Sequence, residues 1–261
     1  MGIIFTGTKS YLFESFTNEF VEEISTVRED QLFLIGFKSP TVASDNSAEL
    51  FRNNVQRLRQ TLESYEQVHF SKIIFLSAIS VYGQSWDGSS NVASPSPNDF
   101  YSLAKLHCEQ SVIKYARRIG AAYYILRVPG IVGPKSKRNF ISNLRDSIFL
   151  SKEIEVSAFS NRFNNLITTV GVEKIFRVII HNKIKSGIYN LASRRPIPIG
   201  SIIQTIEEFY SKKIFCRVNI SIRERIISTA LIENIFGFNE SVEDAIRYAL
   251  EDSTPFTKGQ T

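Results

Sequence analysis

Short apolar runs alternate with helical patterns along the first half of the chain, and this alternation limits the fold more than any other feature. The apolar runs are residues 2–6, 32–36, 72–76 and 121–126. Helical spacing of apolar residues separates them, at 10–24, 48–65 and 100–119. Strands this short and this apolar are typical of a parallel sheet that is buried on both faces. The pattern therefore predicts an α/β fold with a doubly wound parallel sheet.

The pattern becomes less regular after about residue 135. Helical spacing recurs at 140–149, 172–181, 199–210, 228–236 and 241–251, and extended runs occur at 154–156, 188–191 and 215–220. This half contains no repeat and no low-complexity segment. We predict two domains, a core at 1–134 and a smaller α+β lobe at 135–261. The lobe is expected to interleave with the core and to cover the open ends of its first four strands.

Composition excludes several classes of protein. With 43% hydrophobic and 22% charged residues among 261, the chain is not intrinsically disordered. Its 31 basic and 26 acidic residues give a dispersed net charge of +5, which does not favour a nucleic-acid partner. No apolar run approaches the ~20 residues of a membrane span, so a cytoplasmic protein without a membrane partner is expected. Cys108, Cys216 and three scattered histidines predict neither a disulfide framework nor a metal site.

The turn after the first apolar run is the first candidate site. Gly7 lies there, immediately before a helical pattern, and the amino terminus of a helix can bind an anion. A full dinucleotide fingerprint needs further glycines, for close approach of the phosphates and for packing of the helix. Ser10 and Phe13 occupy those two places in a G-x-x-G-x-x-G spacing. This turn alone fits either a cofactor site or an ordinary strand-to-helix connection.

Hydroxyl groups and a Tyr–Lys pair follow the third apolar run. Ser77 and Ser80 lie at its end, and Tyr101 precedes Lys105 by four residues in the next helical pattern. That spacing places a phenol and an ammonium on one helix face. A neighbouring cation is expected to lower the pKa of the Tyr101 phenol from about 10, which would allow it to act as an acid or base. Such pairs are common in helices, and it is the preceding strand end that favours a catalytic interpretation.

Taken together, these motifs resemble the extended short-chain dehydrogenases/reductases, the NAD(P)-dependent epimerases and dehydratases that act on nucleotide sugars. The resemblance extends through nearly the whole chain, because further segments match in the family's order. The matching segments are 34–36, 51–55, 76–83, 101–105, which has the family's Y-x-x-x-K pattern, 126–134, 165–168, 187–191 and 235–238. The resemblance implies a Rossmann-like nucleotide-binding core, a substrate-binding lobe, and NAD or NADP as the cofactor. It also implies a nucleotide-sugar substrate in carbohydrate biosynthesis.

The resemblance also implies roles for individual residues. Tyr101 would transfer the proton, Lys105 would lower its pKa and bind the nicotinamide ribose, and Ser77 or Ser80 would hydrogen-bond the substrate oxygen. Residues expected at the cofactor are Gly7, Thr8, Ser10, Tyr11, Gly36, Phe37, Lys105 and Pro129. Residues expected at the substrate are Tyr82, Gly130 and Asn165. Relatives commonly form homodimers through the two helices that correspond to 48–65 and 100–119.

Three features depart from the family pattern. Gly36 follows Gly7 by only 29 positions, which leaves room for one helix and one strand, whereas relatives fit two further strands there. The acidic residue that holds the adenosine ribose is missing with them. Ala78 stands where the family has its hydroxyl residue, four positions before the tyrosine of V-Y-G, and Gly130 stands where many relatives have asparagine. We therefore expect a truncated, partly degenerate member with fewer strands beside 2–6 and a reduced adenosine site.

Two hypotheses from different classes remain open. The first is an active oxidoreductase, epimerase or dehydratase, which the retained Tyr101 and Lys105 favour. The second is a non-catalytic relative that binds a sugar nucleotide or a protein partner, which Ser10, Phe13 and Ala78 favour. Cofactor binding separates them, since every catalytic version depends on it.

Overall fold

The computed structural model describes residues 2–39, 45–83, 93–133, 136 and 139–251. The strands are β1 Ile3–Thr6, β2 Gln31–Leu34, β3 Lys72–Ala78, β4 Ala122–Val128, β5 Gly130–Val132, β6 Ile154–Val156, β7 Arg162–Phe163, β8 Leu166–Thr168, β9 Gly187–Asn190, β10 Ile197–Pro198 and β11 Cys216–Val218. The helices are α1 Tyr11–Glu14, α2 Asn18–Thr26, α3 Ala48–Ser64, α4 Phe100–Ile119, α5 Phe140–Leu150, α6 Thr169–His181, α7 Ile199–Tyr210, α8 Ala230–Phe236 and α9 Val242–Glu251. A short 3₁₀ helix covers Ile79–Tyr82.

The central sheet is parallel throughout, as the sequence predicts. Its five strands lie in the order β1-β2-β3-β4-β9. The register sets Thr6 beside Leu34, and it sets Ser77 beside Arg127 and Arg127 beside Asn190. Because all strands run the same way, their carboxyl ends meet at one edge of the sheet, where α/β proteins bind their ligands.

The predicted reduction in strand number is confirmed. Residues 15–30, all of which the structure describes, contain α2 and no strand. Consequently β1 pairs directly with β2 and has no other strand beside it among the described residues. All four residues of β1 are half-buried, whereas all four of β2 are buried. Strand β1, at one edge of the central sheet, is thus the strand most exposed to solvent.

Helices cover both faces of this sheet. On one face α3 and α4 bury an apolar cluster that includes Leu58, Phe75 and Val112. On the other face the Phe33 ring stacks on Phe5 at 4.6 Å and meets the edge of the Phe176 ring at 5.0 Å. The layered α/β/α arrangement explains why β2 and β3 are apolar on both sides.

The helix predicted at 10–24 is wrong as a single element. The chain forms the four-residue α1 and then restarts at α2, with a break at Ser15–Thr17. The Thr17 hydroxyl accepts the Phe20 amide and thereby caps α2. In addition, the Thr17 amide and hydroxyl both donate to the Glu173 carboxylate. This remote carboxylate stabilises an interruption that the apolar spacing cannot show.

The chain divides into two compact units. Among the described residues, one comprises 2–39, 45–83, 93–128 and 173–191, and the other 129–133, 136, 139–172 and 192–251. The first unit contains the central sheet, including β9 from the second half of the sequence. The second contains the strand pairs β5–β8, β6–β11 and β7–β10, with a core formed largely by α5, α7 and α9. A substrate-binding role for residues 135–261 stays a prediction.

Within the parts of the chain that the structure describes, no helix is long and apolar enough to cross a membrane.

Candidate active site

Two glycines meet where β1 and β2 end. A Cβ atom on Gly7 would lie 2.1 Å from the Cα atom of Gly36, and one on Gly36 would lie 2.4 Å from the Cα atom of Gly7. Gly7 also has a φ of 76°, in the region that disfavours side chains. Gly7 is therefore required for the contact between two loop backbones, whether or not a phosphate also approaches it.

The loop after β1 leads into a helix too short to present a strong dipole. The Ser10 amide donates to the Gly7 carbonyl, and the Ser10 hydroxyl accepts the Phe13 amide to cap the four-residue α1. Phe13 packs edge-on against Phe5 at 5.4 Å. Its ring fills the space that a third glycine would leave for close helix packing. Thr8 is exposed and Tyr11 half-buried in this segment, so an anion site here would depend on the loop and not on a long helix.

Asn54 of α3 holds the loop after β2. Its side-chain oxygen accepts the Lys38 amide at 3.1 Å, and its side-chain nitrogen donates to the Lys38 carbonyl at 3.0 Å. Asn54 is buried, and this pair of bonds fixes the backbone that follows Phe37. The motifs in the sequence predict no role for Asn54, although an asparagine on the buried face of an amphipathic helix is a detectable signal.

The first turn of α4 positions the Tyr–Lys pair. Asp99 caps the helix by accepting the Ser102 amide at 2.8 Å, and the Asn46 side chain accepts the Tyr101 amide at 2.8 Å. These two acceptors satisfy amides that a helix start leaves unpaired. Tyr101 and Lys105 consequently occupy a fixed place beside the carboxyl end of β3.

The Lys105 ammonium is enclosed by aromatic rings. Lys105 is only 4% exposed, and its Nζ donates to the Leu76 carbonyl at 2.7 Å. The same Nζ lies 3.9 Å from the centroid of the Phe37 ring, 5.3 Å from that of Phe75 and 5.7 Å from that of Tyr101. Burial lowers the pKa of Lys105 to about 7.

The pKa of the Tyr101 phenol is shifted in the direction opposite to the prediction. Tyr101 is partly exposed as a residue, but its phenol group is enclosed, and this burial raises its pKa above 10. The negative charge of Asp99 raises the pKa of Tyr101 further, whereas a hydrogen bond with Ser39 partly lowers it. The prediction that Lys105 lowers the pKa of Tyr101 is therefore wrong for this structure, because desolvation dominates.

A buried polar cluster lies behind the pair. Glu109 of α4 is fully buried; one of its oxygens accepts Arg127 Nε at 2.9 Å and the other accepts Arg127 Nη2 at 2.6 Å. Ser77 donates its hydroxyl to the same carboxylate at 2.5 Å. Sequence reasoning missed Glu109 and Arg127. The available signals were an acid four residues after Lys105 on a buried helix face and an arginine inside an apolar strand.

The remaining residues from the third strand end separate into two environments. Ser77 is buried and its hydroxyl is bonded to Glu109, whereas Ser80 lies exposed in the 3₁₀ helix. Tyr82 is buried, donates its hydroxyl to Asn190 at 3.0 Å, and stacks its ring under the Arg127 guanidinium at 4.6 Å. The structure thus places Ser77 and Tyr82 in the buried cluster and leaves Ser80 accessible.

Three predicted residues belong to the second compact unit. Pro129 precedes β5, and Gly130 pairs with Leu166 in the β5–β8 sheet. A Cβ atom on Gly130 would lie 3.1 Å from the Cβ atom of Asn139, so a side chain would crowd that neighbour. Asn165 donates to the Arg225 carbonyl at 3.0 Å. Their roles stay predictions.

The predicted homodimer would form through the outward faces of α3 and α4. Exposed positions on α3 are mostly polar or charged, among them Arg52, Gln56 and Arg59. On α4 the exposed apolar residues are Phe100 and Leu103, each 43% exposed, close to its amino terminus. Dimerisation through these helices remains a prediction.

No group of three or more potential metal-ligating residues occurs within the described segments.

Comparison with known proteins gives both a family and a fold. The sequence of residues 17–163, more than half of the chain, matches the model of the NAD dependent epimerase/dehydratase family. A comparison with curated proteins found no match.

Solved structures of similar fold cover nearly the whole chain. The UDP-glucuronic acid 4-epimerase of Bacillus cereus in complex with NAD has a TM-score of 0.79 and 15% identity, over 100% of this chain and 99% of that one. The UDP-glucose 4-epimerase of Thermotoga maritima with UDP-glucose has a TM-score of 0.73 and 15% identity, over 97% and 98% of the two chains. RMD from Pseudomonas aeruginosa complexed with NADPH has the same score and identity, over 96% and 98%. These likenesses confirm the predicted fold, and the family match confirms the resemblance: the chain belongs to the NAD-dependent epimerase/dehydratase family.

Proposed function

We propose that this protein binds NAD or NADP together with a nucleotide sugar and catalyses epimerisation, dehydration or reduction of the sugar. Tyr101 would serve as the acid–base group and Lys105 as its charged neighbour. Family membership supports the class of reaction. Three similar structures contain NAD, NADPH or UDP-glucose, which makes these the first ligands to test.

The observation that carries the proposal is that the buried Lys105 ammonium has a single hydrogen-bond acceptor among the described residues. An ammonium group has three N–H donors, and the described residues supply one acceptor, the Leu76 carbonyl. Burying a charge with so few partners is costly. A ligand that offers hydroxyl oxygens, such as a nicotinamide ribose, would satisfy the remaining donors.

The other predicted cofactor residues could bind only part of the dinucleotide. Lys105 would hold the ribose, and the loops that contain Gly7–Tyr11 and Gly36–Phe37 would face the rest of the dinucleotide; a nicotinamide contact by Pro129 is proposed from the resemblance alone. Residues 7–10 and 35–39 contain no carboxylate that could bind the adenosine ribose. The loss of such a charge-assisted hydrogen bond corresponds to ~1.5–3 kcal/mol of binding. Lys9 or Lys38 would partly offset it by attracting phosphate.

The protein's own residues would handle the proton. When bound, the nicotinamide ring supplies the hydride chemistry. The raised pKa of Tyr101 keeps its phenol protonated at neutral pH, so it is prepared to donate a proton or a hydrogen bond. Ser80 is the hydroxyl free to meet the substrate, since Ser77 is bonded to Glu109. On the family resemblance, Tyr82, Gly130 and Asn165 are proposed as substrate contacts.

A binding and turnover experiment tests the proposal. The protein is titrated with NAD(H) and NADP(H), and the better cofactor is assayed with UDP-sugars. Tyr101→Phe should fold normally and lower the rate about 10²–10⁴-fold. Tyr115→Phe is the matched control, because it removes a phenol from the same helix whose hydroxyl instead donates to the Tyr65 carbonyl. No nicotinamide binding at millimolar concentration, or an unchanged rate in Tyr101→Phe, would contradict the catalytic proposal.

A second candidate is a non-catalytic relative that binds a sugar nucleotide or a protein partner. Ala78, the engaged Ser77 hydroxyl and the four-residue α1 favour it. It predicts that a UDP-sugar binds in the absence of cofactor and is not converted. The same titrations therefore distinguish the two candidates.

A further inference from the structure

The loops that follow β1 and β2 carry positive charge and no carboxylate. Lys9 follows β1 and Lys38 follows β2, and both residues are exposed. Residues 7–10 and 35–39 contain neither aspartate nor glutamate. The 2′-hydroxyl of an adenosine ribose is held by an acceptor such as a carboxylate, whereas a phosphate group is held by cations. The charge of these two loops therefore favours a phosphate over an unmodified ribose.

The order of the strands determines which part of a dinucleotide would lie beside these loops. Under the proposed function, Lys105 binds the nicotinamide ribose at the end of β3, where its Nζ donates to the Leu76 carbonyl. The loop after β1 receives the diphosphate. Strand β2 lies between β1 and β3. The dinucleotide would thus cross the carboxyl edge of the sheet from β3 towards β1, and its adenosine would lie beside the loops that follow β1 and β2.

Arg57 of α3 is a third cation at this place. It lines a small groove with Thr6, the last residue of β1, and with Gly36 and Phe37, which follow β2. Arg57 is exposed, whereas the other described residues that line the groove are buried or half-buried. Its guanidinium is therefore accessible to a ligand that lies over these strand ends and does not enter the groove.

Asn54 fixes the part of α3 that carries Arg57 against the loop after β2. The two residues are three positions apart and so share one face of the helix. Asn54 is buried, accepts the Lys38 amide at 3.1 Å and donates to the Lys38 carbonyl at 3.0 Å. The helix consequently brings Arg57 next to the same loop that carries Lys38.

Arg57 has no carboxylate partner on its own helix. The residues three and four positions away from it are all uncharged, namely Asn53, Asn54, Gln60 and Thr61. By contrast, Arg59 of the same helix pairs with Glu63 at 2.7 Å. None of the ion pairs found between described residues includes Arg57. Its guanidinium donors are therefore available to an anionic ligand.

We propose that Arg57 binds the 2′-phosphate of NADP(H) and that the protein therefore prefers NADP(H) to NAD(H). This assignment rests on the proposed function. The two cofactors differ only in that phosphate, whose oxygens match the paired donors of a guanidinium. Lys9 and Lys38 add positive charge in the adjoining loops. Since these loops have no carboxylate to accept the 2′-hydroxyl of NAD(H) or to repel the phosphate, the balance favours the phosphorylated cofactor.

Fluorescence titrations with NADPH and NADH test the assignment by binding alone. The wild type should bind NADPH about tenfold or more tightly than NADH, which corresponds to one charge-assisted hydrogen bond. Arg57→Gln should remove most of this preference, by weakening NADPH binding and leaving NADH binding nearly unchanged. Arg59→Gln is the matched control, because it removes the same charge two positions along the helix, where the guanidinium is paired with Glu63. This control should keep the preference.

Reversing the charge sharpens the test. Arg57→Glu introduces a carboxylate that repels the 2′-phosphate and offers an acceptor to the 2′-hydroxyl, so NADH should become the tighter ligand. Arg59→Glu changes the net charge by the same amount and should leave NADPH preferred. Because both arginines are exposed, all four variants should fold like the wild type.

The outcomes separate this assignment from the proposed function. If the wild type binds NADH as tightly as NADPH, or if Arg57→Gln keeps the full preference, the assignment is overturned while the proposed function stands. Equal losses in Arg57→Gln and Arg59→Gln would attribute the preference to net charge and would overturn the assignment as well. If neither cofactor binds at millimolar concentration, both the proposed function and the assignment are refuted.

Discussion

Replacing Glu109 by glutamine should strongly destabilise the first compact unit. Glu109 is fully buried, and the Arg127 side chain that it binds is 4% exposed. Glu109→Gln keeps the shape of the side chain but removes its charge and leaves the guanidinium unpaired in the core. Removing one partner of a buried ion pair costs about 3–5 kcal/mol. The Ser77 hydroxyl loses its charged acceptor in the same substitution.

Urea denaturation followed by circular dichroism measures this loss. With a slope of about 3 kcal/mol per molar urea, the midpoint should fall by about 1–1.7 M. The double variant Glu109→Leu with Arg127→Met removes both charges and should regain most of the stability. Glu63→Gln is the control, because it breaks an exposed pair with Arg59 of similar length, 2.7 Å, and should barely shift the midpoint.

Two results would refute this reasoning. A loss below about 1 kcal/mol in Glu109→Gln would show that the guanidinium finds other partners or water. A double variant as unstable as the single one would show that shape and packing, not the unpaired charge, determine the cost.

Two further predictions concern the same unit. Gly7→Ala and Gly120→Ala introduce a side chain at nearly the same φ, 76° and 74°, but only Gly7 has backbone against it, so Gly7→Ala should lose at least about 1 kcal/mol more in urea denaturation; equal losses would contradict the loop contact. Because burial lowers the pKa of Lys105 to about 7, the folded state binds fewer protons than the unfolded state between pH 7 and 10.5, and the free energy of unfolding should rise with pH from 7 to 9. Lys105→Met should flatten that rise, and identical pH profiles in the two proteins would contradict the pKa shift.

Local sequence signals were sufficient for some elements and not for others. Helix α4 was predicted at its observed bounds, since apolar spacing, the Asp99 cap and Gly120 agree on one segment. The helix at 10–24 was wrong because Glu173, more than 150 positions away, stabilises the break at Thr17. Propensity and spacing carry no information about such a partner.

The candidate site shows the same division. The i, i+4 spacing predicted correctly that Tyr101 and Lys105 share a helix face. The Lys105 ammonium lies 5.7 Å from the centroid of the Tyr101 ring. It did not predict the sign of the Tyr101 pKa shift, which depends on how much of the phenol the tertiary structure encloses. Nor did it predict Phe37 over Lys105, because that contact joins a strand end to a helix 68 positions later.

The two ends of the proposed cofactor site are held with unequal strength. Tyr101 and Lys105 lie on α4, which two side-chain caps and the buried Glu109–Arg127 pair fix against β3 and β4. The opposite end depends on an edge strand of half-buried residues and a four-residue helix, with no carboxylate in the adjoining loops. A rigid proton-transfer group beside a weak adenosine site should lower cofactor affinity more than the rate at saturating cofactor. Under the proposed function, this chain therefore binds NAD less tightly than it would with a carboxylate at the adenosine end, while its proton-transfer group stays in place.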